Sequence, residues 1–125
     1  MTNSTDLEAL AKGYLAAIQA RDLEACMSFF TNDSTVEGRD SRHDGLDSIR
    51  AWHQSRFEAN MSVRVESLKA ERERVVADVV VTSDRLANTR LKSLPSRITF
   101  VFDGDKIKEA RMSPRMPNLL GLFRS

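Results

Sequence analysis

Near Asn60 the apolar residues of this chain change period, and that change limits the folds open to it. Before it they recur at helical spacing. Leu7, Leu10, Ala11, Tyr14, Leu15 and Ile18 make one stripe, and Leu23, Cys26, Met27 and Phe30 a second. Leu46, Ile49, Trp52, His53 and Phe57 make a third. After it they alternate, from Val63 to about Ala70, Val75 to Thr82, Ser96 to Phe102 and Lys106 to Met112. Three helices with one early strand, followed by a four-strand antiparallel run, define an α+β chain with helices laid across one face of a curved sheet.

The punctuation fits this division. Thr5-Asp6-Leu7-Glu8 is a capping-box pattern opening the first helix. Gly13 is a poor mid-helix residue, and its bare backbone leaves space for close packing beside Tyr14. Asp22 is a good N-cap for the second helix, and Thr31-Asn32-Asp33-Ser34 is a turn cluster that ends it. Thr35 to Arg39 reads as a short strand, with Val36, Gly38 and Asp40 on one face and Thr35, Glu37 and Arg39 on the other. Asp40 to Gly45 is expected to be a polar loop containing His43, with Asp44 capping the third helix and Asn60 ending it. Glu71-Arg72-Glu73 is expected to be a hairpin turn, although it lacks the usual glycine. Asp103-Gly104 fits a type I′ turn. Pro95 suits a strand start, whereas Pro114 and Pro117 stop the last strand. The expected domain is therefore 1–113, followed by a tail, 114–125, containing Leu119, Leu120, Leu122 and Phe123.

The strand from Val75 to Thr82 carries Val75, Ala77, Val79 and Val81 on one face and Val76 and Val80 on the other. A strand apolar on both faces needs cover on both sides. One helix layer covers one side, and a second subunit is the simplest cover for the other. The sequence thus predicts a homodimer formed through the sheet.

Several function classes find little support. The 125 residues are the size of one domain. The 19 basic residues nearly cancel the 18 acidic ones, so no global field argues for nucleic acid or membrane. No apolar run reaches membrane-spanning length, and no basic segment followed by an apolar run suggests a signal peptide. With Cys26 as its one cysteine, the chain is expected in the cytoplasm. His43, His53 and Cys26 lack tight ligand spacing, so no metal is expected. No Gly-rich phosphate loop is present, and no cofactor is expected. Arg85, Arg90, Lys92 and Arg97, with Arg111, Arg115 and Arg124 later, form a basic group. It reads either as an anion-binding rim or as a solvated edge that discourages strand pairing.

The segments Tyr14 to Gly38, Gly45 to His53 and Arg97 to Met112 carry a resemblance, in order and spacing more than in any single motif. The chain resembles the NTF2-like superfamily, specifically its SnoaL-like and ketosteroid-isomerase-like bacterial members. The resemblance implies an α+β cone: a curved antiparallel sheet with three helices of the N-terminal half packed on its concave face. It also implies an apolar pocket between sheet and helices, and usually a homodimer.

Ketosteroid isomerases use a helix tyrosine and a protonated aspartate as an oxyanion hole, and a second aspartate as base. Tyr14 matches the tyrosine. Gly38 stands at the base position and Ile98 at the protonated-acid position, so this reaction is not expected. Glu37 does not easily replace the base, because neighbouring strand residues point to opposite faces. The pocket lining is expected to be Tyr14, Ile18, Phe30, Val36, Gly38, Trp52, Ile98, Phe100 and Met112. Ala110 also faces inwards by the same alignment, with Glu109 and Arg111 outwards.

Tyr14 is either a hydrogen-bond donor to a ligand or a core residue with its hydroxyl at the edge. Asp40 and His43 are either an acid/base pair at the pocket mouth or residues of a solvated loop. Tyr14, Asp40 and His43 are thus the catalytic candidates. His53 reads as a satisfied core histidine. Two functions follow: a protein that binds, with or without transforming, a small mostly apolar ligand, or a non-catalytic homodimeric module. In the second, the protein's own side chains or Leu119 to Phe123 fill the pocket.

Overall fold

The first apolar stripe becomes helix α1, Ser4–Gln19, with Leu7, Ala11, Tyr14, Leu15 and Ile18 buried. The computed structural model describes residues 4–38, 41–84 and 93–115, with side chains from residue 6 onward. The expected cap side chain, Thr5, lies outside that set. Glu8, the other half of the expected capping box, is engaged elsewhere as well. Its Oε1 accepts the Ala70 amide at 3.3 Å and ties α1 to the sheet.

The chain reverses at Arg21, where φ is 56°. Asp22 then caps α2, Leu23–Met27, by accepting the Ala25 amide at 3.1 Å, as expected. Gly13 makes room for Phe29, just past α2: a Cβ there would sit 3.3 Å from the Phe29 ring.

The first strand, β1, is Thr35–Glu37. The expected polar loop beyond it contains a second strand, β2, Arg42–Asp44. The Gly38 amide donates to the Ser41 carbonyl at 2.8 Å, and Thr35 and Glu37 pair with Asp44 and Arg42. Arg42 reaches Glu37 at 3.5 Å and Asp44 at 3.2 Å. Asp44 is therefore a sheet residue, not the helix cap. The Thr35 hydroxyl donates to it at 2.9 Å. That bond first, and Arg42 after it, hold its carboxyl below the usual range. Helix α3, Leu46–Glu58, starts at Gly45, with φ 85° and no side-chain cap. Past its C-cap, Ala59, Asn60 takes φ 53°, the left-handed helix stop that asparagine tolerates.

The alternating half forms β3, Ser62–Glu71, β4, Arg74–Thr82, β5, Leu94–Asp103, and β6, Lys106–Pro114. The sheet order is β2-β1-β6-β5-β4-β3. Every pairing is antiparallel except β1 with β6, which is parallel. The result is a curved, unclosed, mixed six-stranded sheet with three helices packed on it. Strand β6 runs through Pro114, past the expected stop at Met112. Register shifts interrupt β3 between Val65 and Ser67 and β5 between Val101 and Phe102.

Both long hairpins use two-residue turns with positive φ at the first central position: Arg72 at 59° and Gly104 at 62°. Asp105 is absent from the positive-φ residues, so the second turn has the sign pattern of type II′ and not the expected type I′. In the first, arginine takes a place that glycine usually fills.

Val75, Ala77, Val79 and Val81 of β4 are buried against the helices, with Ile98, Phe100, Phe102, Ile107 and Ala110. The other face of β4 departs from expectation. Val76 and Val80 are half-buried, and Asp78 between them accepts from Arg97 Nε at 2.8 Å. Lys69 and Thr99 flank Val76 in register, while Arg64 and Pro95 flank Val80. The outer face is thus polar with two valines set in it.

Candidate binding site

Helices and sheet meet around a small apolar cavity of about 20 Å³. Tyr14 and Ile18 of α1 and Trp52 of α3 form its helix side. Val36 and Glu37 of β1, Val63 of β3, Ile98 of β5, and Ala110 and Met112 of β6 form its sheet side, with Met61 beside Val63. Register explains the grouping: Val36 pairs with Ala110, and Ile98 with Met112, so their side chains share the inner face. The space holds about one water. Pockets for drug-sized ligands run to roughly 300–1,000 Å³.

Tyr14 is 2% exposed, and its hydroxyl lies 2.7 Å from His53 Nε2. His53 Nδ1 lies 2.8 Å from the Ile49 carbonyl. A carbonyl accepts, so Nδ1 carries the proton and Nε2 is the acceptor. Tyr14 therefore donates to His53. Burial pushes the Tyr14 hydroxyl well above its ordinary value, and it pushes His53 down to about 4. The pair is neutral across the physiological range.

Of the expected lining, Tyr14, Ile18, Val36, Trp52, Ile98 and Met112 surround the cavity. Phe30 and Phe100 do not. They pack edge-on against Tyr14, with centroids at 5.4 and 5.7 Å, and hold its ring in place. Gly38 stands just past β1, where a Cβ would lie 3.6 Å from Trp52 Nε1. Glu37 borders the cavity, but its carboxylate turns outward to Arg111 at 3.0 Å and Arg42 at 3.5 Å.

Asp40 lies outside the described residues. His43 sits on β2 in a separate open groove of about 290 Å³, lined by Ser41, His43, Ala51, Trp52, Ser55 and Arg56. Its Nε2 is 3.0 Å from Ser41 Oγ and its Nδ1 3.3 Å from Ser48 Oγ.

Sequence reasoning missed Met61, Val63 and Arg56. Arg56 had a signal. It stands four residues after Trp52 on one helix, and its guanidinium lies 4.5 Å from the indole centroid. Three members of the basic group lie among the described residues, each in an ion pair. Arg97 pairs with Asp78, Arg111 with Glu37 and Glu109, and Arg115 with Glu66. Arg85, Arg90, Lys92, Arg124 and the Leu119-to-Phe123 segment lie outside the described residues.

Cys26 is fully buried, and burial first, then Asp22, pushes its thiol up to about 12. Among the described residues, no three His, Cys, Asp or Glu side chains converge as a metal site would require. No described helix is long and apolar enough to cross a membrane.

A family model described as a SnoaL-like domain matches residues 11–110. The search of curated proteins returns no match. Among solved structures, one provisionally described as a polyketide cyclase from Sinorhizobium meliloti superposes with a TM-score of 0.76. It is 18% identical over 90% of this chain and 100% of its own. One provisionally described as a ketosteroid isomerase from Kribbella flavida gives 0.78 at 16% identity, over 93% of this chain and 82% of its own. An NTF2-like protein of unknown function from Cytophaga hutchinsonii gives 0.73 at 11% identity, over 96% of each chain. At these identities the likeness is one of fold.

Proposed function

The chain belongs to the SnoaL-like family, and from that premise we propose that it binds a small, mostly apolar molecule between sheet and helices. The observation that carries this reading is the apolar cavity bounded by α1, α3 and four strands, with two of its walls, Trp52 and Met112, only half-buried. Met112 is unbranched and adaptable, so a change of its rotamer enlarges the space without moving backbone. A ligand enters by displacing these two side chains.

We assign no reaction to the site. Ketosteroid isomerisation is not expected. By the resemblance, Gly38 and Ile98 occupy the positions of the base and the protonated acid. The Tyr14 hydroxyl already donates its hydrogen bond to His53.

A second reading draws on the cavity's size. At about 20 Å³ it is close to filled by the protein's own side chains, which favours a non-catalytic homodimeric module. The half-buried Val76 and Val80 on the outer sheet face support pairing of two copies there. The buried, unactivated Cys26 supports a cytoplasmic setting.

Thermal shift against apolar ketones, phenols and fatty acids separates the readings. Binding predicts that at least one compound raises Tm by about 2 °C or more at saturating concentration. Ile98→Phe, which fills the cavity, is expected to abolish the shift. If no compound moves Tm, in the natural protein or in the cavity-enlarging Met112→Ala, the binding reading fails and the module stands.

A further inference from the structure

The inner cavity and the outer groove share one wall, Trp52. Arg56 covers that wall from outside, its guanidinium carbon 4.5 Å from the indole centroid. The same guanidinium places Nη2 3.6 Å from Met112 Sδ. One cation therefore lies over two of the three half-buried side chains of the cavity, the third being Glu37, whose carboxylate turns outward to Arg111 and Arg42. Around it the groove is polar, with Ser41, Ser55 and His43.

We propose that cavity and groove are two halves of one site, and that its ligand is an amphipathic carboxylate. The apolar body passes behind Trp52 and Met112. The carboxylate stays in the groove, on Arg56 and the serine hydroxyls. Guanidinium suits this role because its planar fork gives a carboxylate two parallel, charge-assisted hydrogen bonds. A half-buried cation is also screened less than a fully exposed one. The proposal rests on the binding reading above and adds the chemical class of the ligand.

Trp52 is the chain's one tryptophan, so its emission reports this site directly. Octanoate, 1-octanol and methyl octanoate are titrated into the natural protein and into Arg56→Gln. Octanoate is expected to change the emission saturably, with a Kd at least about tenfold below those of the alcohol and the ester, as fits a charge-assisted contact. Arg56→Gln is expected to bring octanoate to within about twofold of octanol. Raising the salt is expected to weaken octanoate and not octanol. If Arg56→Gln does not fold, the salt series on the natural protein decides. Octanol or the ester binding as tightly as octanoate overturns the carboxylate site and leaves apolar binding standing. So does an octanoate preference that survives Arg56→Gln or high salt. No saturable response to any of the three overturns the inference, and the thermal panel then tests the binding reading separately.

Discussion

Tyr14 and His53 show how a residue with a familiar catalytic place can be turned to a structural task. Both stand on apolar helical stripes, and that much is visible in the chain. Their partnership is not, because 39 residues separate them and only tertiary packing brings them to 2.7 Å. The reading of His53 as a satisfied core histidine agrees with its two bonds. Tyr14→Phe leaves the buried Nε2 without its donor, which costs about 1–3 kcal/mol. Urea unfolding at pH 7 measures this.

His53 also makes stability depend on pH. It ionises near 6.5 when unfolded and near 4 in the fold. The unfolded chain therefore binds a proton that the native state refuses. The contribution is present in full above about pH 6.5 and falls as pH drops toward about 4. The full shift corresponds to an upper bound of roughly 3 kcal/mol. Urea midpoints between pH 7 and 4 are expected to fall for the natural protein and to flatten for His53→Leu. A His53→Leu profile that falls as steeply places the proton uptake elsewhere.

At the scale of elements, the long periodic segments were readable, as were the short α2 and β1, and one short strand was not. α1, α3 and the four long strands follow from spacing alone. β2 does not, because Arg42, His43 and Asp44 have no apolar alternation. It is a strand because β1 offers it partners, and so Asp44 leaves the helix cap it was expected to fill. The Asp103-Gly104 pair marked a hairpin correctly but not its type, since the pairing of Asp103 with Lys106 places glycine first in the turn. Arg72 is the informative exception: a β-hairpin turn with φ 59° on a side chain that disfavours it. Arg72→Gly removes that strain and adds unfolded-state entropy, so a net gain of about 0.5–1 kcal/mol is expected. Thermal denaturation reads it, and a lower Tm would show that the arginine side chain holds the turn through contacts instead.

For the whole molecule, the change of period at Asn60 separates the helix layer from most of the sheet. It does not show how β1 and β2 extend that sheet, because the parallel pairing of β1 with β6 joins segments about seventy residues apart. The outer face was expected to be apolar enough to demand a partner. Ion pairs between Asp78 and Arg97, and among Glu37, Arg111 and Glu109, cover much of it instead. A homodimer through this face is still our proposal, resting on Val76 and Val80. Light scattering at micromolar concentration is expected to return twice the 14.1 kDa chain mass, and the chain mass itself would remove the proposal.

The central claim is that the inner face, not the outer one, receives the ligand. Methyl-detected NMR during titration with a compound that raises Tm tests it most directly. The account predicts shifts concentrated in the methyls of Ile18, Val36, Ile98 and Met112, with Val76 and Val80 unmoved. Shifts centred on Val76 and Val80, with the cavity methyls still, would contradict it.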